Sequence, residues 1–123
     1  EKPVELDEHH EEADILFIGF ISSKGAIQEG AERLNAQGIK VNTMQIRQLH
    51  PMPKDVIQEA IDKASRVIVV EHNYQGQLSN ILKMNTTIQN KLINQTKYDG
   101  TPFLPHEIES KGQKVVSESK ELV

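Results

Sequence analysis

The chain has 123 residues, with 14 Lys+Arg against 18 Asp+Glu and a formal net charge of −4, which fits one domain with a single core and gives no electrostatic reason to expect nucleic acid. Its basic residues, among them Lys24, Arg33, Lys40, Arg47, Lys54, Lys63 and Arg66, are scattered rather than gathered on one stripe. With no cysteine, the chain supplies no disulfide, thiolate metal site or cysteine nucleophile, and any associated iron–sulfur cluster must be ligated elsewhere.

Residues 1–12 set Glu5, Asp7, Glu8, Glu11 and Glu12 around His9 and His10. They read as an acidic linker in which residues 3–6 could add a short edge strand. The run Ile15-Leu16-Phe17-Ile18 predicts a strand covered on both faces. Gly19 closes it, and the hydroxyls of Ser22 and Ser23 can cap a helix over 24–37. That helix aligns Ala26, Ile27, Gly30, Ala31 and Leu34 on one stripe, with small residues at Ala26 and Gly30 allowing close approach to a sheet. Gly38 suits its C-terminal stop.

Residues 39–47 carry Val41, Thr43 and Ile46 and predict a second strand, ended by Pro51 and Pro53. Pro53 fits the first turn of a helix running to Ala64 with a stripe of Val56, Ile57, Ala60, Ile61 and Ala64. Residues 66–71 form the clearest strand. After Gly76 come a shorter helix marked by Leu78, Ile81 and Leu82, a weak strand over 91–96, and a final short helix over 105–112. Residues 113–123 read as a charged tail that frays. Strand–helix alternation at these spacings predicts a parallel sheet with helices on both faces, a three-layer α/β sandwich. The apolar runs 15–20 and 67–70 fall far short of the roughly 20 residues a membrane span needs, and no segment reads as a signal peptide. Position 1 is Glu, so a fragment or processed product in the cytoplasm is expected.

In an open parallel sheet, ligands gather beyond the carboxyl ends of the strands. The polar groups placed there are Ser22, Ser23, Lys24 and Gly25, then His50, then Glu71, His72 and Asn73. The Ser22–Gly25 turn is either a structural cap or a small anion site; it matches neither a Walker loop nor GxGxxG. His50 is either a loop histidine or a general base oriented by Glu71. Glu71 could equally accept the first amides of the next helix. His9 and His10 sit in the acidic segment, where a flexible chain cannot preorganise a zinc site. A complete catalytic set is not discernible.

Four segments in order resemble one family: 13–19 with Ser23-Lys24-Gly25-Ala26-Ile27, then Gln48-Leu49-His50-Pro51-Met52-Pro53, then residues 67–78 (VIVVEHNYQGQL), then Lys97-Tyr98-Asp99-Gly100-Thr101-Pro102-Phe103. The chain is similar over about 14–108 to the α subunit of 2-oxoacid:ferredoxin (or other acceptor) oxidoreductases, of the 2-oxoglutarate type. The resemblance implies a transketolase C-terminal-like domain with a five-stranded, mostly parallel sheet of order 1-3-2-4-5. Its antiparallel edge strand would fall at 3–6, and the domain proper would span 13–112. It implies a parent enzyme that makes acyl-CoA and carbon dioxide from a 2-oxoacid and coenzyme A, passing electrons through iron–sulfur clusters to ferredoxin. Thiamine diphosphate and Mg2+ would be held by other domains. This domain would pack against those domains and against partner subunits, including the β subunit, and would be inactive alone. His72 stands where the family often has a second acidic residue, and Thr101 where it often has Arg. The alternative reading is a nucleotide- or anion-binding regulatory module built on Ser22–Gly25, with a hydrolase using His50 as a weaker third.

Overall fold

The computed structural model describes residues 2–74 and 77–121. Gln75 and Gly76 of the third resembling segment, Glu1 of the acidic segment, and Leu122 and Val123 of the tail lie outside the described residues. Strands β1 (Val4–Asp7), β2 (Ala13–Phe20), β3 (Val41–Ile46), β4 (Ala64–His72) and β5 (Leu92–Lys97) alternate with helices α1 (Lys24–Ala36), α2 (Lys54–Asp62), α3 (Leu78–Asn85) and α4 (Pro105–Glu121). They form one sheet of order β1-β3-β2-β4-β5. All neighbours are parallel except β1, which pairs antiparallel with β3. This is the expected order and the expected antiparallel edge, with the edge strand beginning one residue later than residues 3–6.

The two faces of the sheet bury different helices. Leu16, Ile18, Met44, Ile46, Val67 and Val69 pack beneath α2 and α3, through Ile57, Ile61, Leu78 and Leu82. Ile15, Phe17, Val41, Ile68 and Val70 pack beneath α1 and α4, through Ile27, Leu34, Ile108 and Val115. Val67 through Val70 are fully buried because β4, in the middle of the sheet, is covered on both sides. On α2 the stripe is narrower than the sequence pattern: Ile57, Ala60 and Ile61 are buried, Val56 is exposed, and Ala64 already belongs to β4.

Helix α1 ends as Gly38 requires. Its φ is 86°, its amide donates to the Asn35 carbonyl at 3.0 Å, and the Ile39 amide donates to Leu34 at 3.1 Å. That double closure is a Schellman motif, which places its left-handed residue where glycine adopts it without strain. The small residue Gly30 meets α4, not the sheet: a Cβ there would lie 2.5 Å from Ile108 Cβ. The start of α1 differs from expectation as well. Residues Ile21–Ser23 form a 3₁₀ turn, and Ser23 makes no side-chain capping bond.

Two boundary expectations are corrected. Residues 113–121 are not a frayed tail but the second half of α4, because Val115 continues the buried stripe begun by Ile108 and Gly112 seats against Leu34, 2.5 Å from an added Cβ. Residues 4–10 are not a free linker either. Asn42 on β3, almost wholly buried, accepts the His9 and His10 amides at 2.9 and 3.1 Å and donates to the His10 carbonyl at 2.9 Å. A buried amide satisfied on both its ends fixes this segment to the sheet.

Candidate functional site

The carboxyl edge gathers three loops: the turn from β2 into α1, the residues after β4, and the stretch from β5 to α4. Ser22, Ser23, Gly25 and Ala26 from the first, His72 and Tyr74 from the second, and Gly100, Pro102 and Phe103 from the third line a crevice of about 340 Å³. Among the described residues, acids, lysines and arginines are absent from this lining.

Glu71 does not face the crevice as a base. It is 5% exposed, and its carboxylate accepts the Leu78 amide at 2.6 Å and the Ser79 amide at 3.1 Å. The residue at the N-cap of α3, Gln77, makes no side-chain cap and holds a left-handed φ of 55°. The carboxylate from β4 therefore performs the capping that the helix's own sequence omits. Of the two readings of Glu71, the structure has the cap.

His50 is exposed beyond β3, and its carbonyl accepts from Gln48 Nε2 at 2.9 Å. Strand β2 lies between β3 and β4, so His50 and Glu71 end strands about 10 Å apart. A His50–Glu71 general base is not assembled. Lys24 is also drawn away. Its Nζ sits 2.5 Å from Glu5 Oε1 on β1, and Arg47 holds the other oxygen. The hydrogen bond from Lys24 brings the Glu5 carboxyl below its ordinary value, with Arg47 adding to the effect against the cost of burial. Of Ser22, Ser23, Lys24, Gly25, His50 and Glu71, the fold brings together Ser22, Ser23 and Gly25, and assigns Lys24 and Glu71 to other partners.

The crevice wall is built from local chemistry. His72 is 7% exposed; its Nε2 donates to the Thr101 carbonyl at 2.6 Å. Its ring stacks on Tyr74 at 5.2 Å and 23°, and leans on Phe103 at 4.9 Å. Thr101 is held by Asp99, whose Oδ1 accepts both its amide (3.1 Å) and its hydroxyl (2.8 Å). The Thr101 hydroxyl and amide keep the Asp99 carboxyl below its usual range. The two positions that depart from the family pattern, His72 and Thr101, thus contact each other. Lys97 Nζ lies 5.4 Å from the centre of the Phe103 ring and donates to Pro102 (2.7 Å) and Glu107 (2.8 Å). Glu107 also accepts the Leu104 amide at 2.7 Å, so with Pro105 at the first turn it closes the start of α4 as the acid of a capping box does. Burial raises the Glu107 carboxyl, but the bonds from Lys97 and Leu104 outweigh it and leave it lowered.

Sequence reasoning missed Tyr74, Pro102 and Phe103 as site walls. Their signals were an aromatic two residues past β4, at Tyr74, and the Pro102-Phe103 pair just before α4.

The donor sets of the implied cofactors are not assembled among the described residues. Among the described residues no group of three His, Cys, Asp or Glu could hold a metal ion, so Mg2+ with thiamine diphosphate lacks a donor set here. His9 pairs with Asp7 at 3.0 Å and His10 with Asn35 at 2.8 Å, which sends the two imidazoles to different partners. Iron–sulfur ligation is excluded by the missing thiols.

The family description "Pyruvate:ferredoxin oxidoreductase core domain II" matches residues 13–108. The chain belongs to this family. Among solved structures it is similar to a 2-oxoglutarate:ferredoxin oxidoreductase from Magnetococcus marinus with 2-oxoglutarate, coenzyme A and succinyl-CoA bound, at 34% identity and a TM-score of 0.85, over 94% of this chain and 20% of that one. It is also similar to the α chain of a probable 2-oxoacid ferredoxin oxidoreductase from Thermoplasma acidophilum, at 30% identity and a TM-score of 0.58, over 94% of this chain and 97% of that one. The α subunit of 2-oxoacid:ferredoxin oxidoreductase 1 from Aeropyrum pernix is 38% identical over 101 residues, 80% of this chain and 16% of that subunit. The chain thus spans about a fifth or less of the Magnetococcus and Aeropyrum relatives. It is a core domain II of the 2-oxoacid:ferredoxin oxidoreductase α-subunit type. No helix among the described residues is long and apolar enough to cross a membrane.

Proposed function

We propose that this core domain II serves within an oxidoreductase that oxidatively decarboxylates a 2-oxoacid of the 2-oxoglutarate class, forming acyl-CoA and carbon dioxide and reducing ferredoxin. Its own part is structural: it packs against the domains and subunits, the β subunit included, that hold thiamine diphosphate, Mg2+ and the iron–sulfur clusters. The observation that carries this reading is the likeness to the Magnetococcus enzyme, 34% identical and with a TM-score of 0.85 across 94% of the chain. Supporting it, the candidate acid, base and cation at the sheet edge serve as a helix cap (Glu71), an exposed loop residue (His50) and an ion-pair partner (Lys24).

A tag on this domain should co-purify thiamine diphosphate-containing and iron–sulfur-containing polypeptide from the source cell. The 123-residue chain alone, given thiamine diphosphate, Mg2+, 2-oxoglutarate, coenzyme A and an acceptor dye, should form no acyl-CoA. Acyl-CoA formed by the isolated chain would overturn the structural role; co-purification with an unrelated assembly would overturn the parentage.

A further inference from the structure

We infer that the crevice at the carboxyl edge is the socket into which a neighbouring domain of the oxidoreductase inserts an uncharged aromatic or aliphatic side chain. The inference deepens the reading above and rests on it.

Topology makes the socket. Strand β2 leads through α1 to β3 on one side, while β4 leads through α3 to β5 on the other. The loops leaving β2 and β4 therefore diverge, and a parallel sheet opens a crevice at that point. Ser22, Ser23 and Gly25 form one lip, His72 and Tyr74 the other.

The chemistry of the lining selects the occupant. The neighbouring cations Lys24 and Lys97 are held by Glu5 and Glu107, so an anion entering the crevice would find no unengaged lysine there. Tyr74 is 70% exposed yet held in a stack on His72. A large aromatic fixed in place and left in water is what a protein contact covers. Ser23 lines the crevice at 7% exposure.

The opposite edge argues the same way. Before β2 and along α2, Glu11, Glu12, Asp55, Glu59 and Asp62 crowd one open concavity with Lys63, itself shared between Glu8 and Glu59. Covering that edge would strip water from many carboxylates with one lysine among them. The crevice, whose described lining carries no acid, lysine or arginine, is covered at far smaller desolvation cost. The Magnetococcus and Aeropyrum relatives supply candidate occupants, since at least about four-fifths of their chains lies outside this domain.

The test uses the intact oxidoreductase. A Cβ added at Gly25, on the lip of the crevice, meets nothing within 4 Å, so Gly25→Leu adds bulk at the lip with room at the point of attachment. Tyrosine nitration read by peptide mass spectrometry reports Tyr74, one of two tyrosines in the chain. In the wild-type enzyme Tyr74 should nitrate at least about tenfold more slowly than in the Gly25→Leu enzyme, a difference of about 1.4 kcal/mol in covering the site. Gly25→Leu should also loosen the assembly on native mass spectrometry. Tyr74→Ala, a change at an exposed side chain that leaves the core intact, should loosen it too. Glu12→Gln, on the acidic edge, should leave assembly unchanged.

Equal nitration in both enzymes, or a greater loss of assembly from Glu12→Gln than from Gly25→Leu, overturns the inference. So does protection of Tyr74 that appears only on adding coenzyme A or a 2-oxoacid, which would make the crevice a small-molecule site. Should the wild-type enzyme oxidise no 2-oxoacid while a partner polypeptide still shields Tyr74, the docking stands and the proposed activity fails.

Discussion

Replacing Glu71 by alanine removes a buried carboxylate that holds the first turn of α3 through two amide bonds, 2.6 Å to Leu78 and 3.1 Å to Ser79. Hydrogen bonds to a charged group contribute about 1.5–3 kcal/mol each, and an amide left buried and unpaired adds its own desolvation cost. Leu78 is fully buried and Ser79 is 9% exposed, so water reaches these amides poorly. The expected loss is about 3–5 kcal/mol, a large part of the roughly 5–15 kcal/mol that stabilises a domain. Glu71→Gln keeps one acceptor oxygen but turns an NH2 toward the second amide, and should cost about 2 kcal/mol. Urea unfolding of the 123-residue chain, followed by circular dichroism with a common slope for all three proteins, measures both. A Glu71→Ala loss below about 1 kcal/mol would refute the capping argument and return Glu71 to consideration as a chemical group.

Gly30→Ala should destabilise by about 1–3 kcal/mol in the same assay, because its Cβ meets the Ile108 Cβ at 2.5 Å and the Pro105 carbonyl at 3.1 Å. Gly25→Ala, with open space around it, should be neutral or stabilising by up to about 1 kcal/mol. Gln77→Gly should stabilise by about 1 kcal/mol, since a side chain at φ 55° carries a left-handed strain that glycine lacks. Asn42→Ala should cost about 1–3 kcal/mol and speed amide exchange at His9 and His10, whose amides it holds. The pH dependence follows from Glu107. Its carboxyl is lowered in the folded chain from an ordinary value of 4.5, so its contribution is present above that value and lost as pH falls through the folded one. Glu107→Gln should therefore flatten the acid side of the stability curve and leave its slope above pH 6 unchanged, as thermal melts across pH would show.

Strong periodicity made most of the fold readable. Residues 15–18 and 67–70 are continuous apolar runs because both faces of β2 and β4 are covered, and the α1 stripe ends at Gly38 because the chain must turn left-handed there. The antiparallel edge was different. Val4 is buried but Glu5 and Asp7 are charged, so composition favoured a linker, and the resemblance, not the local pattern, supplied the strand. The second half of α4 was hidden because Gly112 looks like a stop. Its missing side chain is instead the room that Leu34 occupies, a contact between residues far apart in sequence. The candidate site was half legible for a similar reason. Position in the sheet identified Ser22, Ser23 and Gly25, but the partners that Lys24 and Glu71 choose depend on β1 and α3. The wall formed by Phe103 depends on the His72–Thr101 bond, which joins loops 29 residues apart.

The most direct test of the account is the reaction of the native enzyme carrying this domain, measured as ferredoxin reduction together with acyl-CoA formed. The account predicts reduction that requires both coenzyme A and a 2-oxoacid, strongest with 2-oxoglutarate, with succinyl-CoA and carbon dioxide appearing in equal amounts. An intact, cofactor-replete assembly that reduces ferredoxin with none of the 2-oxoacids would contradict it.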